Sequence, residues 1–261
     1  MVLALALLLA PPTRASEIEQ GDRFWMQRAA SVRAALARPE RVEDAIERYR
    51  RALRGEASDE ARWKLLRALH YLVEFTDAAE ARKDSAQEEA LILARMAAAS
   101  PLESDADAAT RARLYFWSAI AWGARAGRVG LLTIVREGVA GRMHDLAKRS
   151  ASLDPSVDRG GPLRLLSRLH ADLPRVPFIS GWVDRAKALP YAEQALRLDP
   201  EHPGNQLVLA LVLLERVPDR RSEALMLLER VAARDPDPDM LVEGLTIRHE
   251  ARKRLADIER R

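Results

Sequence analysis

The chain of 261 residues has five histidines and no cysteine, so imidazole chemistry is the first kind to consider. The segment HEARK at 249–253 begins like the HExxH zinc motif, but lysine stands where the second histidine ligand belongs. The histidine and aspartate at 144–145 are adjacent and therefore point to different faces of a helix. His170 and His202 have no second ligand at a useful spacing. We expect no metal site.

Nucleophiles and phosphate-binding loops find no support in the sequence either. The absence of cysteine excludes thiolate nucleophiles, disulfides and a lipid-modified N-terminal cysteine. Gly123, Gly127 and Gly130 lack the spacing of a dinucleotide-binding loop, and no serine stands in a nucleophile-elbow motif. The sequence therefore predicts a protein that is not an enzyme, has no catalytic residues and needs no cofactor.

Aromatic side chains are concentrated in one short segment. Tyr115, Phe116, Trp117 and Trp122 lie within eight residues of one another. At helical spacing they occupy more than one face, so the helix that carries them is buried on two faces or lines a cavity. We consider them candidates for a ligand groove, and the alternative is an inner helix packed on both sides.

A second apolar group lies in a connecting segment at 174–182. Phe178 and Trp182 are its aromatic members, and they do not follow helical spacing. Apolar side chains in a loop must be covered by a partner, by a ligand or by the protein itself. Both residues are therefore further ligand or groove candidates, with packing against the protein's own helices as the alternative.

The overall composition favours helices. Hydrophobic residues make up 48% of the chain, charged residues 31% and aromatic residues only 5%, and the apolar content is mostly alanine and leucine. The net charge is only +3 because arginine is almost balanced by aspartate and glutamate. Interleaved charges of both signs are typical of solvated helical surfaces, so we expect no nucleic-acid partner.

Helical periodicity continues through most of the chain. The apolar stripe from Ile18 to Leu36 predicts a first helix that ends before Pro39, and a stripe from Leu131 to Leu153 predicts a single sixth helix. Further helices are expected near 184–198, 205–216, 222–234 and from 239 to the end. Ser58, Ser85 and Ser104 stand where N-caps are expected, the last two with an acid three residues later. No segment alternates long enough to predict a strand.

A repeat is visible where these helices end. The segment ALRLDP at 195–200 stands 36 residues before VAARDP at 231–236. Small, bulky and proline residues at these intervals resemble the tetratricopeptide repeat (TPR), a pair of antiparallel helices in 34 residues. The structural signature residues are Pro155, Ala195, Pro200, Ala224 and Pro236. We expect an all-α, TPR-like α-solenoid of about five helix pairs with a C-terminal capping helix, as a single domain at 16–261.

The order of several motifs resembles one TPR family in particular, the T-component of tripartite ATP-independent periplasmic (TRAP) transporters. The motifs are LYFWSAIAWG at 114–123, GGPLR at 160–164, LHADLP at 169–174, HPGN at 202–205 and LLERV followed by DPDPD at 227–239. The resemblance covers roughly residues 17–258. It implies a periplasmic accessory protein that binds a solute receptor, that can form a homo-oligomer, and that has a pore or groove able to hold a small apolar ligand. A generic TPR scaffold for a peptide or a partner helix is the alternative.

The N-terminal segment has the features of an export signal. Residues 2–10 are uninterrupted apolar, two prolines follow, and Thr13-Arg14-Ala15 provides a small residue at the cleavage position. Such a run is far shorter than the roughly 20 residues that span a bilayer. We therefore expect residues 1–15 to be a signal peptide and the mature protein to be soluble and periplasmic, or otherwise exported.

Overall fold

The computed structural model describes residues 13–54, 58–99, 107–177 and 180–260; the apolar run at 2–10, Ser104 and Phe178 lie outside these ranges. Within them the chain forms twelve α-helices. They are α1 (Arg14–Met26), α2 (Glu40–Ala52), α3 (Asp59–Phe75), α4 (Glu80–Ala99), α5 (Ala108–Ala126), α6 (Leu131–Arg136), α7 (Val139–Leu153), α8 (Gly161–Asp172), α9 (Ala188–Leu198), α10 (Pro203–Arg216), α11 (Arg221–Ala233) and α12 (Leu241–Glu259). The predicted all-α class is confirmed.

The first helix is shorter than its apolar stripe predicts, and this prediction was wrong. Helix α1 ends at Met26, and two short antiparallel strands follow, β1 (Val32–Arg33) and β2 (Leu36–Ala37). Ala34 and Ala35 connect them with φ values of 50° and 64°. Alanine seldom adopts this left-handed conformation, and hairpin turns of this kind usually carry asparagine or glycine, so the sequence offers no turn signal here.

One described helix start follows its predicted cap, and another is capped by a residue that was expected in a different role. The Ser58 hydroxyl accepts a hydrogen bond from the Ala61 amide at 3.3 Å and caps α3, as predicted. Asp107, expected as the acid of a capping box, is itself the N-cap of α5 and accepts from the Thr110 amide. A carboxylate can do this because the first amides of a helix have no partner within the helix.

Two further predictions were wrong. Ser85 does not begin a helix, because α4 already starts at Glu80 and Ser85 lies inside it. The helix expected from Leu131 to Leu153 is divided into α6 and α7 by Gly138, whose φ of 61° ends the regular backbone. Glycine adopts this conformation without steric cost, so Gly138 can end a helix although it lies within an apolar stripe.

Successive helices pack in pairs, and alternate helices then line one side of the molecule. Helices α1 and α2, α3 and α4, α5 and α7, α8 and α9, and α10 and α11 are in contact, and α12 packs on α11. Helix α3 also packs on α5, and α10 on both α8 and α12. The stacking of inner helices on inner helices curves the array and places α3, α5, α8, α10 and α12 around a common interior.

Candidate functional site

A cavity of about 540 Å³ lies inside this curved array. Its wall is formed by residues of α1, α3, α5, α8, α10 and α12, so elements from both ends of the described chain contribute. Cavities of this volume are typical of binding sites for small organic molecules. The wall is predominantly apolar.

The apolar part of the wall has an aromatic side and an aliphatic side. The aromatic side comes from α1, α3 and α5 and consists of Trp25, Tyr71, Phe75, Phe116 and Trp117. The aliphatic side comes from α8, α10 and α12 and includes Leu165, Leu207, Val208 and Ile247. Apolar groups on two opposed surfaces can both be removed from water by one apolar ligand, which is the main favourable contribution to binding in such a site.

The aromatic side is fixed by contacts between rings. The Phe116 and Trp117 rings are 5.1 Å apart and meet edge to face. Phe116 is pressed against the start of α8, where a Cβ added at Gly161 would lie 2.6 Å from the ring. The close approach of α5 and α8 therefore requires glycine at position 161, and this contact sets the position of Phe116 on the wall.

An arginine closes the array by joining its first and last parts. Arg28, which follows α1, donates to the Glu243 carboxylate of α12 at 3.0 and 3.2 Å and also donates to the Asp239 carbonyl. Its guanidinium lies 4.4 Å from the Trp25 ring and 5.4 Å from the Tyr71 ring. The pair is nearly enclosed, with 7% of the arginine side chain and 17% of the glutamate side chain exposed.

A polar corner of the wall precedes α8. Asp158 and Arg159 have φ values of 49° and 57°, a strained conformation for residues other than glycine. Arg164 holds this turn by donating to the backbone carbonyls of both residues at 2.9 Å. The Asn205 amide nitrogen donates to the Arg159, Ala195 and Asp199 carbonyls at 2.8 to 3.1 Å. These bonds stabilise the strained turn and place Asp158 on the cavity wall.

The two histidines of the wall are held neutral. Burial lowers the pKa of His70 to about 4 and, together with nearby Arg164 and Arg159, the pKa of His202 to about 3. His202 also accepts a hydrogen bond from the Gly204 amide at 3.1 Å and caps α10. At neutral pH the charge of the wall therefore comes only from its arginines and carboxylates.

The structure separates the aromatic residues singled out from the sequence. Phe116 and Trp117 lie on the cavity wall. Tyr115 and Trp122 project from other faces of α5 and pack in the core away from the cavity; burial alone does not make this distinction, because Phe116 is 4% exposed and Tyr115 6%. Trp182 lies away from the cavity and stacks on the His144 ring at 4.0 Å. Phe178 is outside the described residues.

The repeat-signature residues lie at helix ends and helix contacts. Pro155 and Pro200 directly follow the C-cap residues of α7 and α9, and Pro236 follows the C-cap residue of α11 by two positions. Ala195 is fully buried against Gly160, where an added Cβ would approach its backbone to 3.3 Å. Ala224 is also fully buried, in α11. Small residues at such contacts allow helices to approach closely.

Sequence reasoning missed several polar residues of the wall, chiefly Arg28, Arg67 and Glu243. Arg28 and Glu243 are 215 positions apart, so no local spacing indicates that they meet. Arg67 stands in a helix rich in apolar residues, next to buried Leu66 and Ala68. A charge on the apolar side of a helix was therefore the one signal available for Arg67.

Other kinds of site find less support in the described parts of the chain. Across residues 13–54, 58–99, 107–177 and 180–260, no group of three or more histidines and carboxylates is arranged to hold a metal ion. Over the same ranges, none of the helices combines the length and the apolar character needed to cross a membrane.

The paired helices and their curved stacking define a tetratricopeptide-repeat-like α-solenoid. A solved structure supports this class: TTC0263, a thermophilic TPR protein of Thermus thermophilus, is similar with a TM-score of 0.56 over 90% of this chain and 98% of that chain. Sequence identity is 17%, so the likeness concerns the fold alone. No protein-family model and no curated protein matches the chain.

Proposed function

We propose that this chain is a non-enzymatic, periplasmic TPR-type binding protein that holds a small apolar ligand in its central cavity. In this proposal it is an accessory of a tripartite solute transporter, similar to the T-component, and it binds the solute receptor. The observation that carries the proposal is the partly open, predominantly apolar cavity of about 540 Å³ lined by helices from both ends of the array.

The geometry of the cavity supports a small ligand. Arg28 and Glu243 join the two ends of the array beside the cavity, which is partly open to solvent. A partner helix has a diameter of about 10–12 Å with its side chains, so a cavity of about 540 Å³ has room for little more than one turn of it. A compact molecule with a largely apolar surface fits this volume.

The transporter role is supported by the order of motifs and by where two of them lie. The aromatic segment at 114–123 supplies Phe116 and Trp117 to the wall, and the glycine pair at 160–161 brings α8 against Phe116. These are the segments on which the resemblance to the T-component depends. The apolar run at 2–10 supports export.

Native mass spectrometry of protein purified from its own host tests the ligand proposal. We expect a small molecule to be retained, to be released by organic solvent, and to be lost from the Trp117→Ala variant. Trp182→Ala is the matched control, because Trp182 is also partly buried but stacks on His144 outside the cavity. An empty parent protein that instead binds peptides would favour the generic scaffold.

Two measurements on the same material test the transporter role. N-terminal sequencing should find a chain that begins near Ser16, and an intact Met1 would contradict export. The protein should also co-purify with a solute-binding receptor of a tripartite transporter. Retention of a ligand without this receptor would leave the cavity proposal standing and overturn the accessory role.

A further inference from the structure

Arg67 differs from the other arginines on the cavity wall. Among them, Arg28 pairs with Glu243, Arg164 contacts Asp158 at 3.4 Å, and Arg168 contacts two carboxylates. Within the described residues, Arg67 makes no ion pair, and its Nε is buried without a hydrogen-bond partner. Tyr49 and Asp158 stabilise its charge, but no described carboxylate lies within ion-pair distance of it.

The surroundings of Arg67 are aromatic. Its guanidinium carbon lies 4.0 Å from the centre of the Trp25 ring and 4.8 Å from that of Trp63. These contacts stabilise a cation and hold the planar guanidinium in a fixed orientation. The Tyr49 hydroxyl is also a hydrogen-bond partner of the guanidinium, but the Nε has no partner among the described residues, so the oriented side chain can still donate.

Asp22, an acidic group that lines an outer pocket together with Arg67, is already engaged. It accepts a hydrogen bond from the Tyr49 hydroxyl at 2.8 Å and contacts the Lys64 ammonium at 2.6 Å. Tyr49 lies beside Arg67, and burial lowers the pKa of Arg67. Removing a charge from water costs free energy unless an opposite charge replaces the water, and Arg67 has this cost without a paired carboxylate.

The polar groups next to Arg67 on α3 are uncharged, and of the two described carboxylates on the cavity wall Glu243 is paired with Arg28 and Asp158 with Arg164. His70, one turn along α3, has a pKa of about 4 and is neutral at pH 7. Its Nδ1 has no hydrogen-bond partner among the described residues, and neither has the Tyr71 hydroxyl. The wall around Arg67 therefore combines an arginine that has no carboxylate partner among the described residues, aromatic surface and neutral polar groups, beside the Arg28–Glu243 ion pair.

We propose that the cavity binds an apolar monocarboxylate, with its carboxylate on Arg67 and its apolar part between the aromatic and aliphatic sides of the wall. This inference rests on the proposed small-ligand function and names the chemical class of the ligand. A carboxylate matches the fork of a guanidinium with two parallel hydrogen bonds. The predominantly apolar wall favours an acid with a sizeable apolar part over a small, strongly hydrated anion.

Decanoate and 1-decanol are suitable probes, because both present a ten-carbon chain and only decanoate has a charged head group. Binding at pH 7 can be followed by isothermal titration calorimetry and by the fluorescence of Trp25 and Trp117 on the wall. We expect the parent protein to bind decanoate more tightly than 1-decanol. In Arg67→Met the ratio of the two affinities should fall at least tenfold, because only decanoate loses its ionic partner.

Two further variants locate the effect. Arg67→Lys keeps the charge but not the fork and should retain part of the preference for decanoate. Arg113→Met is the matched control: Arg113 is 5.7 Å from the Trp63 ring and lines an outer pocket, not the central cavity. Its removal should leave the ratio unchanged, whereas an equal loss in this variant would overturn the assignment to the central cavity.

The outcomes separate this inference from the function on which it rests. Equal affinities of the parent protein for both probes would overturn the carboxylate preference and keep the apolar-ligand function. No binding of either probe would overturn both. A preference for decanoate that persists in folded Arg67→Met would overturn the role of Arg67. If Arg67→Met does not fold, the parent ratio and the Arg67→Lys ratio decide the matter.

Discussion

The two halves of the molecule fill their cores with different side chains. Around α2 to α7 the core contains Tyr49, Trp63, Tyr71, Tyr115 and Trp122. Around α9 to α12 the buried members of the core described by the structure are alanine, leucine and valine alone. Both halves are built from helix pairs with alanine and leucine in their cores, and the core around α2 to α7 has aromatic rings in addition.

This difference explains why the repeat is recognisable in the sequence of the C-terminal half only. In the C-terminal half, contacts such as Ala195 on Gly160 need small residues at regular intervals, so the intervals remain visible in the sequence. In the N-terminal half, aromatic rings share the core with alanine and leucine, and the helix ends do not recur at a regular interval in the sequence. The cavity lies between the halves and takes its aromatic wall from one and its aliphatic wall from the other.

The largest loss of stability is expected in the core of the aromatic half, and a smaller loss on its cavity wall. Trp122→Ala removes a side chain that is only 2% exposed, and it should lower the free energy of unfolding by about 3–5 kcal/mol. Trp117→Ala, five residues earlier on the cavity wall, should cost clearly less. Urea denaturation of both variants measures the difference. Equal losses would show that Trp117 is core, and would weaken the case for a ligand cavity.

The next largest loss of stability is expected at the Arg28–Glu243 contact between the halves. Arg28→Met leaves the Glu243 carboxylate enclosed without its partner and should cost roughly 3 kcal/mol. Glu243→Gln in the same background should recover part of this loss, because no unpaired carboxylate then remains. A double-mutant cycle by urea denaturation measures the coupling. Additive losses would show that Arg28 and Glu243 do not stabilise each other, and that the array is not closed by this pair.

The boundaries of the C-terminal helices were predictable from the sequence. The helix expected at 205–216 is observed as α10 (Pro203–Arg216), and the one expected at 222–234 is observed as α11 (Arg221–Ala233). Their ends are marked by residues with a local conformational effect, such as Pro203 at the first turn of α10. In this half, local signals and tertiary packing agree.

The N-terminal helices and the cavity were less predictable, for physical reasons. Ala34 and Ala35 are exposed, and their left-handed turn is flanked by backbone hydrogen bonds, from Arg38 to Ser31 and from Asp77 to Ala37, which no local preference of alanine predicts. The cavity combines Phe116 and Trp117, which the sequence singled out, with Arg28 and Arg67, which it did not. Residues far apart in the chain form such a wall only after the array has curved, and no local pattern encodes that meeting.

Overpacking tests the aliphatic half. Ala224 is fully buried in α11, and Ala224→Leu should lower the free energy of unfolding by roughly 1–3 kcal/mol because the helices must move apart. Ala233→Leu, an exposed position at the end of the same helix, is the matched control and should have little effect. An unchanged melting temperature for Ala224→Leu would show that Ala224 is not in a tight helix contact. The assignment of small residues to the helix contacts of the repeat would then be wrong.

The last expected effect depends on pH and concerns the neutral histidine at the start of α10, whose replacement changes stability by about 1.4 kcal/mol for each pH unit. Burial and nearby arginines lower the pKa of His202 to about 3 in the folded protein, whereas an unfolded histidine has a pKa of about 6.5. Between these values the unfolded state binds one more proton at this site, so stability falls as the pH falls from 6.5 toward 3 and is retained above 6.5. His202→Asn keeps an N-cap for the Gly204 amide but does not titrate, and it should reduce the slope of the unfolding free energy against pH by about 1.4 kcal/mol per pH unit.

The exposed His249 in α12 provides the matched His249→Asn control, which should leave this slope unchanged. Urea denaturation between about pH 4 and 6, inside the window set by the two pKa values, measures the slope. Identical slopes for the parent and His202→Asn would mean that His202 is not held neutral by its surroundings.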